Sequence, residues 1–261
     1  MEVSVIKSTE NPEEVVCRAA RGDYTGTTFT NKPSHDEKNE GGKYVRRGDG
    51  EGTVWIEPPK SFKRLMEGVE GETLGEKKRT LIEHLLRSGH YGPFEHPQIT
   101  LSIKGVSRVT MAQITRHRQL TFDIQSMRYI DFSEGGDAVV PKSLVDDEHF
   151  TRGEGEVEVE NREYWMEKYR EEVESIMGTY EAMIEDGVPA EDARYLLPLG
   201  TCVNMTVSGN ARTWMHILNI RGKANVQWET REMAEQIEKE MKCWMPETFD
   251  AYDYKKQTLS P

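Results

Sequence analysis

Apolar residues recur with two different periods along this chain, and the order of those periods restricts the fold more than any other feature. Met1 to Lys7 reads as a first strand, Ile99-Thr100-Leu101-Ser102-Ile103-Lys104 alternates like a half-buried strand, and residues 201–208 read as another. Helical spacing governs the rest. Residues 12–22 form a short helix with Asn11 as N-cap and Pro12 at its first position. Further helices are expected over 61–67, over 74–88 with the stripe Leu81, Ile82, Leu85 and Leu86 ended by Gly89, and over 109–116. A charged helix covers 154–186, with Trp165, Tyr169, Val173, Ile176, Tyr180 and Met183 spaced as a packing face. Pro189 opens a short helix ending near Leu196, and 210–219 and 226–241 read as two more. Strands and helices do not alternate as regular βαβ units, so the expected class is α+β: one domain with a central, mostly antiparallel sheet flanked by long helices.

That domain is expected to span residues 1–250, with 251–261 as a tail. Residues 24–59 interrupt it as a flexible insertion rich in Gly, Asn, Lys, Asp and Glu, with breakers at Gly41-Gly42 and Gly48-Asp49-Gly50-Glu51-Gly52. Residues 116–128 read as irregular structure around a site. No glycine-rich phosphate loop of the dinucleotide or Walker type is present, so a nucleotide would be held by side chains.

Charge and cysteines narrow the function. A formal net charge of -12 argues against a nucleic-acid surface, while leaving room for a basic cleft that takes small phosphorylated ligands. The chain has no apolar run of about 18 residues and no signal-peptide pattern at its start, so a cytoplasmic protein without a membrane span is expected. Cys17, Cys202 and Cys243 are scattered and odd in number, which gives neither a disulfide framework nor paired metal ligands; all three are expected to be buried thiols.

Within this acidic chain, Arg116-His117-Arg118 is a concentrated donor cluster, with Gln113, Gln125, Ser126 and Arg128 near it and Arg194, Arg212 and Arg221 further on. Arginine forks match phosphate oxygens in bidentate fashion. A single arginine of this kind is ordinarily a surface ion pair of little worth. Six of them, embedded among apolar neighbours with almost no acids beside them in sequence, point to a binder of one or more phosphate-bearing ligands.

The order of the motifs is more specific. Arg116-His117-Arg118, seven residues, then Ser126 resembles the signature of the flavin-dependent thymidylate synthases. Gly89-His90, Pro93-Phe94-Glu95-His96 and Gln113 precede it, and Ser126-Met127-Arg128-Tyr129 completes it. Ala193-Arg194-Tyr195-Leu196-Leu197-Pro198-Leu199, Asn210-Ala211-Arg212, Leu218-Asn219-Ile220-Arg221 and Gln227-Trp228-Glu229 follow in the order of that family. The resemblance covers roughly residues 1–250.

It implies reductive methylation of dUMP to dTMP, with 5,10-methylenetetrahydrofolate as carbon donor and NADPH as reductant through FAD. It further implies a homotetramer with sites shared between subunits. On that resemblance Arg116, His117, Arg118, Gly92, Ile124 and His90 belong to the cofactor site, with Asn210, Arg212 and His216 supplied by another subunit. Gln113, Arg116, Gln125, Ser126, Arg128, Arg194 and Arg221 belong to dUMP. Arg221 is the catalytic residue, a fixed cation that favours the N3-deprotonated uracil. Ser126 reads as a phosphate donor, because no base is evident to make it a nucleophile. Ile124 replaces an acid found in relatives, leaving only its backbone to serve, with Asp123 as a candidate replacement; Asn225 stands where some relatives have histidine. The alternatives are a flavin- and nucleotide-binding protein with impaired catalysis, prompted by Ile124, and a structural metal site on His84, His90 and His96, whose six-residue spacing is unfavourable on a helix.

Overall fold

The computed structural model describes residues 1–22, 44–47, 53–56, 61–129, 137–145 and 159–253. Six strands lie among them: β1 (Glu2–Ser8), β2 (Tyr44–Arg47), β3 (Thr53–Ile56), β4 (Gln98–Ser107), β5 (Thr121–Ile124) and β6 (Cys202–Asn210). Strands β1, β4, β6 and β5 stand side by side in that order, every pair antiparallel. The expected α+β class with an antiparallel sheet is therefore what the chain adopts.

Two segments read as irregular contain strands. Inside 24–59, β2 and β3 pair as an antiparallel hairpin with Tyr44 opposite Ile56 and Arg47 opposite Thr53; the rest of that segment lies outside the described residues. Residues Thr121–Ile124 are a strand, with Thr121 opposite Ser208 and Ile124 opposite Met205. Four residues are too few for their alternation to stand out in sequence, and the ladder with β6 supplies what propensity alone does not.

The sheet is apolar on one face only, as an antiparallel sheet covered on one side should be. Leu101, Ile103 and Val106 of β4 and Val203, Met205 and Val207 of β6 are buried, whereas Lys104 and Asn204 are exposed. A register shift between Ile103 and Val106 centres on Gly105, whose φ of 67° suits glycine and whose N–H donates to Asn204 Oδ1 at 3.0 Å.

Helices α1 (Pro12–Gly22), α2 (Phe62–Leu65) and α3 (Leu74–Arg87) precede β4. Asn11 enters α1 at φ 48°, its carbonyl accepting from Glu14 and Val15. Thr73 and Glu76 cap α3 reciprocally. Helix α4 (Arg108–Ile114) follows β4 directly, then α5 (Arg162–Glu185), α6 (Ala190–Ala193), α7 (Ala211–Arg221), α8 (Trp228–Trp244) and α9 (Pro246–Ala251). The main core joins the sheet to α1, α3, α7 and α8 through Val16, Ile82, Trp214, Ile217, Met233 and Ile237, and it extends past residue 250 to the buried Tyr252.

Helix α5 packs along the expected face, but shallowly: Tyr169, Val173, Ile176 and Met183 are half-buried. Of its 24 residues only Tyr180 is buried, and Tyr164 and Trp165 are exposed. Tyr180 joins Met127 and Ala193 in a second, smaller core, fringed by Met177, Met183, Ile184, Val188 and Leu197. The expectation of three buried thiols also fails: Cys17 is buried, Cys202 half-buried and Cys243 exposed. Among the described residues no helix is long and apolar enough to cross a membrane.

Candidate functional site

The first cluster is built on the turn between α4 and β5. Ser107 caps α4, accepting from the Thr110 N–H at 3.1 Å. Glu229, 3% exposed at the start of α8, accepts from the Ser107 N–H at 2.6 Å and its hydroxyl at 2.5 Å. Gln227 caps α8 and also accepts from the Thr230 hydroxyl, which stands 3.3 Å from that of Thr110. A buried polar chain therefore fastens the origin of α4 to the origin of α8. At the other end the chain turns tightly: the His117 N–H donates to Ile114, and the Leu120 N–H to His117. Ile114 and Leu120 are buried on either side, so Arg116 and Arg118 are exposed while His117 points inward.

Helix α7 supplies the facing wall. Asn210 caps it, its Oδ1 accepting from Thr213 at 2.8 Å, and most of the helix is buried. Arg212 and His216, one turn apart, are half-buried, and Arg221 is the last helical residue. Arg221 Nε donates to His117 Nε2 at 2.9 Å and Arg221 Nη2 to the Gln113 carbonyl at 2.9 Å. The rings of His117 and His216 meet edge to face, centroids 6.0 Å apart. Burial, then the Arg221 guanidinium, His216 and Arg116, push the His117 imidazole down to about 4, so it is neutral at working pH. Burial and Arg212 lower His216 in the same sense, and burial and Arg116 lower Arg221, which remains cationic. The half-buried His90 precedes a short 3-10 turn that the exposed Gly92 opens and the buried Pro93 and Phe94 anchor, and Glu95 of that turn pairs with Arg212.

The second cluster lies past the far end of β5. The Gln125 N–H donates to the Asn204 carbonyl at 2.9 Å, and Gln125 Oε1 accepts from the Asn204 N–H at 3.0 Å. Ser126 Oγ accepts from the Arg128 N–H at 3.3 Å, and Met127 between them is sunk in the smaller core. Arg128 pairs with Glu191 Oε2 at 2.8 Å, and Arg194 Nε donates to the Glu191 carbonyl at 2.9 Å. A shallow groove on the polar sheet face, about 250 Å³, connects Gln125 with Ser102, Lys104, Asp123, Asn204 and Thr206.

The structure thus brings Gln113, Arg116, His117, His216 and Arg221 together, ties Gly92 to Arg212 through Glu95, and groups Ser126, Arg128 and Arg194 separately. His216 touches His117 within a single protomer, although the resemblance assigned the two to different subunits. The near absence of acids around the arginines does not survive folding, since Glu95 and Glu191 reach Arg212 and Arg128 from distant segments. Asp123 is no replacement for the acid at Ile124. Asp123 pairs opposite Thr206 and Ile124 opposite Met205, so the two side chains leave opposite faces of β5, and Ile124 packs against the main core. Among the described residues no group of three or more His, Cys, Asp or Glu is placed to hold a metal, and burial, Asp137 and Glu229 raise the Cys202 thiol away from reactivity. Sequence reasoning quoted Glu229 within a motif without giving it a task; an acid at the first turn of a helix was the only signal.

Comparison with known proteins bears on what these clusters do. Residues 4–247 match the family described as Thymidylate synthase complementing protein. A flavin-dependent thymidylate synthase from Haloarcula marismortui is 38% identical, and one from Halobacterium salinarum 36%, each over 100% of both chains. The solved structure of a UMP/dUMP methylase from Streptomyces cacaoi, bound with 5-Br dUMP, covers 100% of this chain and 97% of its own at 21% identity and a TM-score of 0.73, a likeness of fold.

Proposed function

The chain belongs to the flavin-dependent thymidylate synthase family, and from that premise we propose how its residues divide the reaction. The activity is the reductive methylation of dUMP to dTMP, with FAD as cofactor and methylenetetrahydrofolate and NADPH as co-substrates. In our reading the first cluster serves FAD: Arg116, His117 and Arg118 from the turn, Asn210, Arg212 and His216 from α7, with Gly92 and His90 beside them; the backbone of Ile124, which the resemblance also gives to FAD, stands at the far end of β5 next to Gln125. The donor set suits a diphosphate, because Arg116 and Arg118 are exposed and make no ion pair among the described residues. With its oxygen engaged as a helix cap, Asn210 has its amide nitrogen left to donate. Bound there, FAD supplies the reducing hydride.

The remaining residues serve dUMP. Gln125, Ser126, Arg128 and Arg194 hold the nucleotide, Ser126 and Arg128 donating to its phosphate; Gln113 and Arg116 lie toward the flavin side. Arg221 meets the uracil and holds it in the N3-deprotonated form, for which its guanidinium must be both charged and fixed. The observation that carries this reading is the anchoring of Arg221 between His117 and the Gln113 carbonyl.

The two clusters stand at opposite ends of the four-residue β5, roughly 13 Å apart at about 3.3 Å per residue. That separation leaves room for a second chain to complete each site, in keeping with the homotetramer that the resemblance implies. We assign residues 1–252 to one domain carrying the 24–59 insertion, its end moved past the expected residue 250 by the buried Tyr252, in a cytoplasmic protein. Impaired catalysis is not favoured: Ile124 is a packing residue here, and Arg221 is present and held.

Tritium release from carbon-5-labelled dUMP, with methylenetetrahydrofolate and NADPH supplied, tests the activity. The purified protein should be yellow and release tritium; Arg221→Ala should stay yellow and lose nearly all release. A colourless protein that binds neither FAD nor dUMP would sink the reading, and unchanged turnover in Arg221→Ala would refute the role of that residue.

A further inference from the structure

We propose that His117 is a positioning residue for Arg221: as a neutral acceptor it fixes the guanidinium in the orientation that meets the nucleobase. The inference rests on the reading of Arg221 given above. An arginine at the end of a helix carries about 2 kcal/mol of side-chain rotamer entropy, so a catalytic guanidinium must be held by something other than its substrate. Two of the three Arg221 nitrogens are held from one side, Nε by His117 Nε2 and Nη2 by the Gln113 carbonyl. Both holders come from α4 and the turn that follows it. The remaining nitrogen, Nη1, has no hydrogen bond among the described residues and is left for a ligand.

The direction of the bond follows from chemistry. A guanidinium only donates, so His117 Nε2 must present a lone pair, and a neutral ring then carries its proton on Nδ1. A second proton would set N–H against N–H. The charged and titratable groups facing His117 are Arg221 and His216 from α7 and Arg116 from its own turn. All three disfavour a cation there, so the acceptor form is maintained by the same residues it serves. His117 is 7% exposed, which also limits how far its ring can turn toward a ligand.

The test combines a spectroscopic signature with a double-variant cycle. Nitrogen-15 NMR of the histidine-labelled full chain at neutral pH should show His117 protonated at Nδ1 and bare at Nε2, with that preference lost in Arg221→Ala. Kinetics at saturating FAD, expressed per bound flavin, should show kcat of His117→Phe falling about tenfold or more. His117→Gln, which restores an acceptor oxygen, should recover most of the rate. Adding His117→Phe to Arg221→Ala should cost nothing further, because the two residues act as one unit. An Nε2-protonated His117, a multiplicative loss in the double variant, or a His117→Phe protein whose turnover per bound flavin matches the parent would each overturn the proposal. If the parent protein releases no tritium, the assigned activity fails, and the tautomer still decides whether His117 holds Arg221.

Discussion

Glu229 supports the site from a distance, and its removal has a magnitude that can be worked out. Its carboxylate accepts both the N–H and the hydroxyl of Ser107, and both residues are almost wholly buried. Glu229→Ala removes two hydrogen bonds and leaves two buried donors without partners; at about 1.5–3 kcal/mol for each bond to a charged group, the loss is about 3–6 kcal/mol. For a chain of this size about 2–4 °C of Tm accompanies each kcal/mol, so Tm should fall roughly 10 °C. In Glu229→Gln the amide oxygen still accepts the Ser107 N–H while the Ser107 hydroxyl must rotate, so the loss should be about 1–2 kcal/mol. Thermal unfolding followed by circular dichroism at one fixed protein concentration, with FAD added at equal excess, measures both variants. The damage should also reach function, since α4 runs from Ser107 to the Gln113 carbonyl and the turn bearing His117. An alanine variant within about 2 °C of the parent would refute the clamp.

Glu191→Gln should lower the KM for dUMP by up to about fivefold, because the half-exposed Arg128–Glu191 pair is worth up to about 1 kcal/mol and must open for a phosphate; an unchanged or higher KM in steady-state assays would contradict the assignment of Arg128. Stability should fall as pH drops from 6.5 to about 4, since the unfolded chain gains a proton at His117 that the folded chain refuses over that window. Urea midpoints should show this slope, and His117→Gln should flatten it; identical profiles would remove His117 as its source. In the native protein a thiol reagent should label Cys243 quickly and Cys17 only on unfolding, since burial pushes the Cys17 thiol up to about 12; rapid labelling of Cys17 would mean that the core around it opens.

The sheet and most helices were legible because long periodic segments announce themselves. Residues 12–22 and 74–88 were read almost to their ends; β4 extends its expected span, and β6 starts one residue later and ends two later than expected. What escaped has physical reasons. Strand β5 is four residues long and exists through its ladder with β6, and β2 with β3 sits in a stretch whose composition argues for a loop. The face of α5 has the right period but is only half-buried among the described residues, a depth that periodicity cannot reveal. At the site, the arginine and histidine motifs were visible as residue types. Their carboxylate partners were not: Glu95 lies 117 residues from Arg212, and Glu229 lies 122 from Ser107.

The division into two cores has a consequence for how the protein moves. The residues read as flavin contacts stand on the main core, whereas Ser126, Arg128 and Arg194 adjoin the small cluster of Met127, Tyr180 and Ala193. A cluster with so few buried members among the described residues has little free energy holding it closed. The amides around residues 126–128 and 190–197 should therefore exchange with solvent through local opening events, well before those of β4 and β6. Nucleotide entry and exit would then use a hinge of low cost while the flavin half of the site stays rigid.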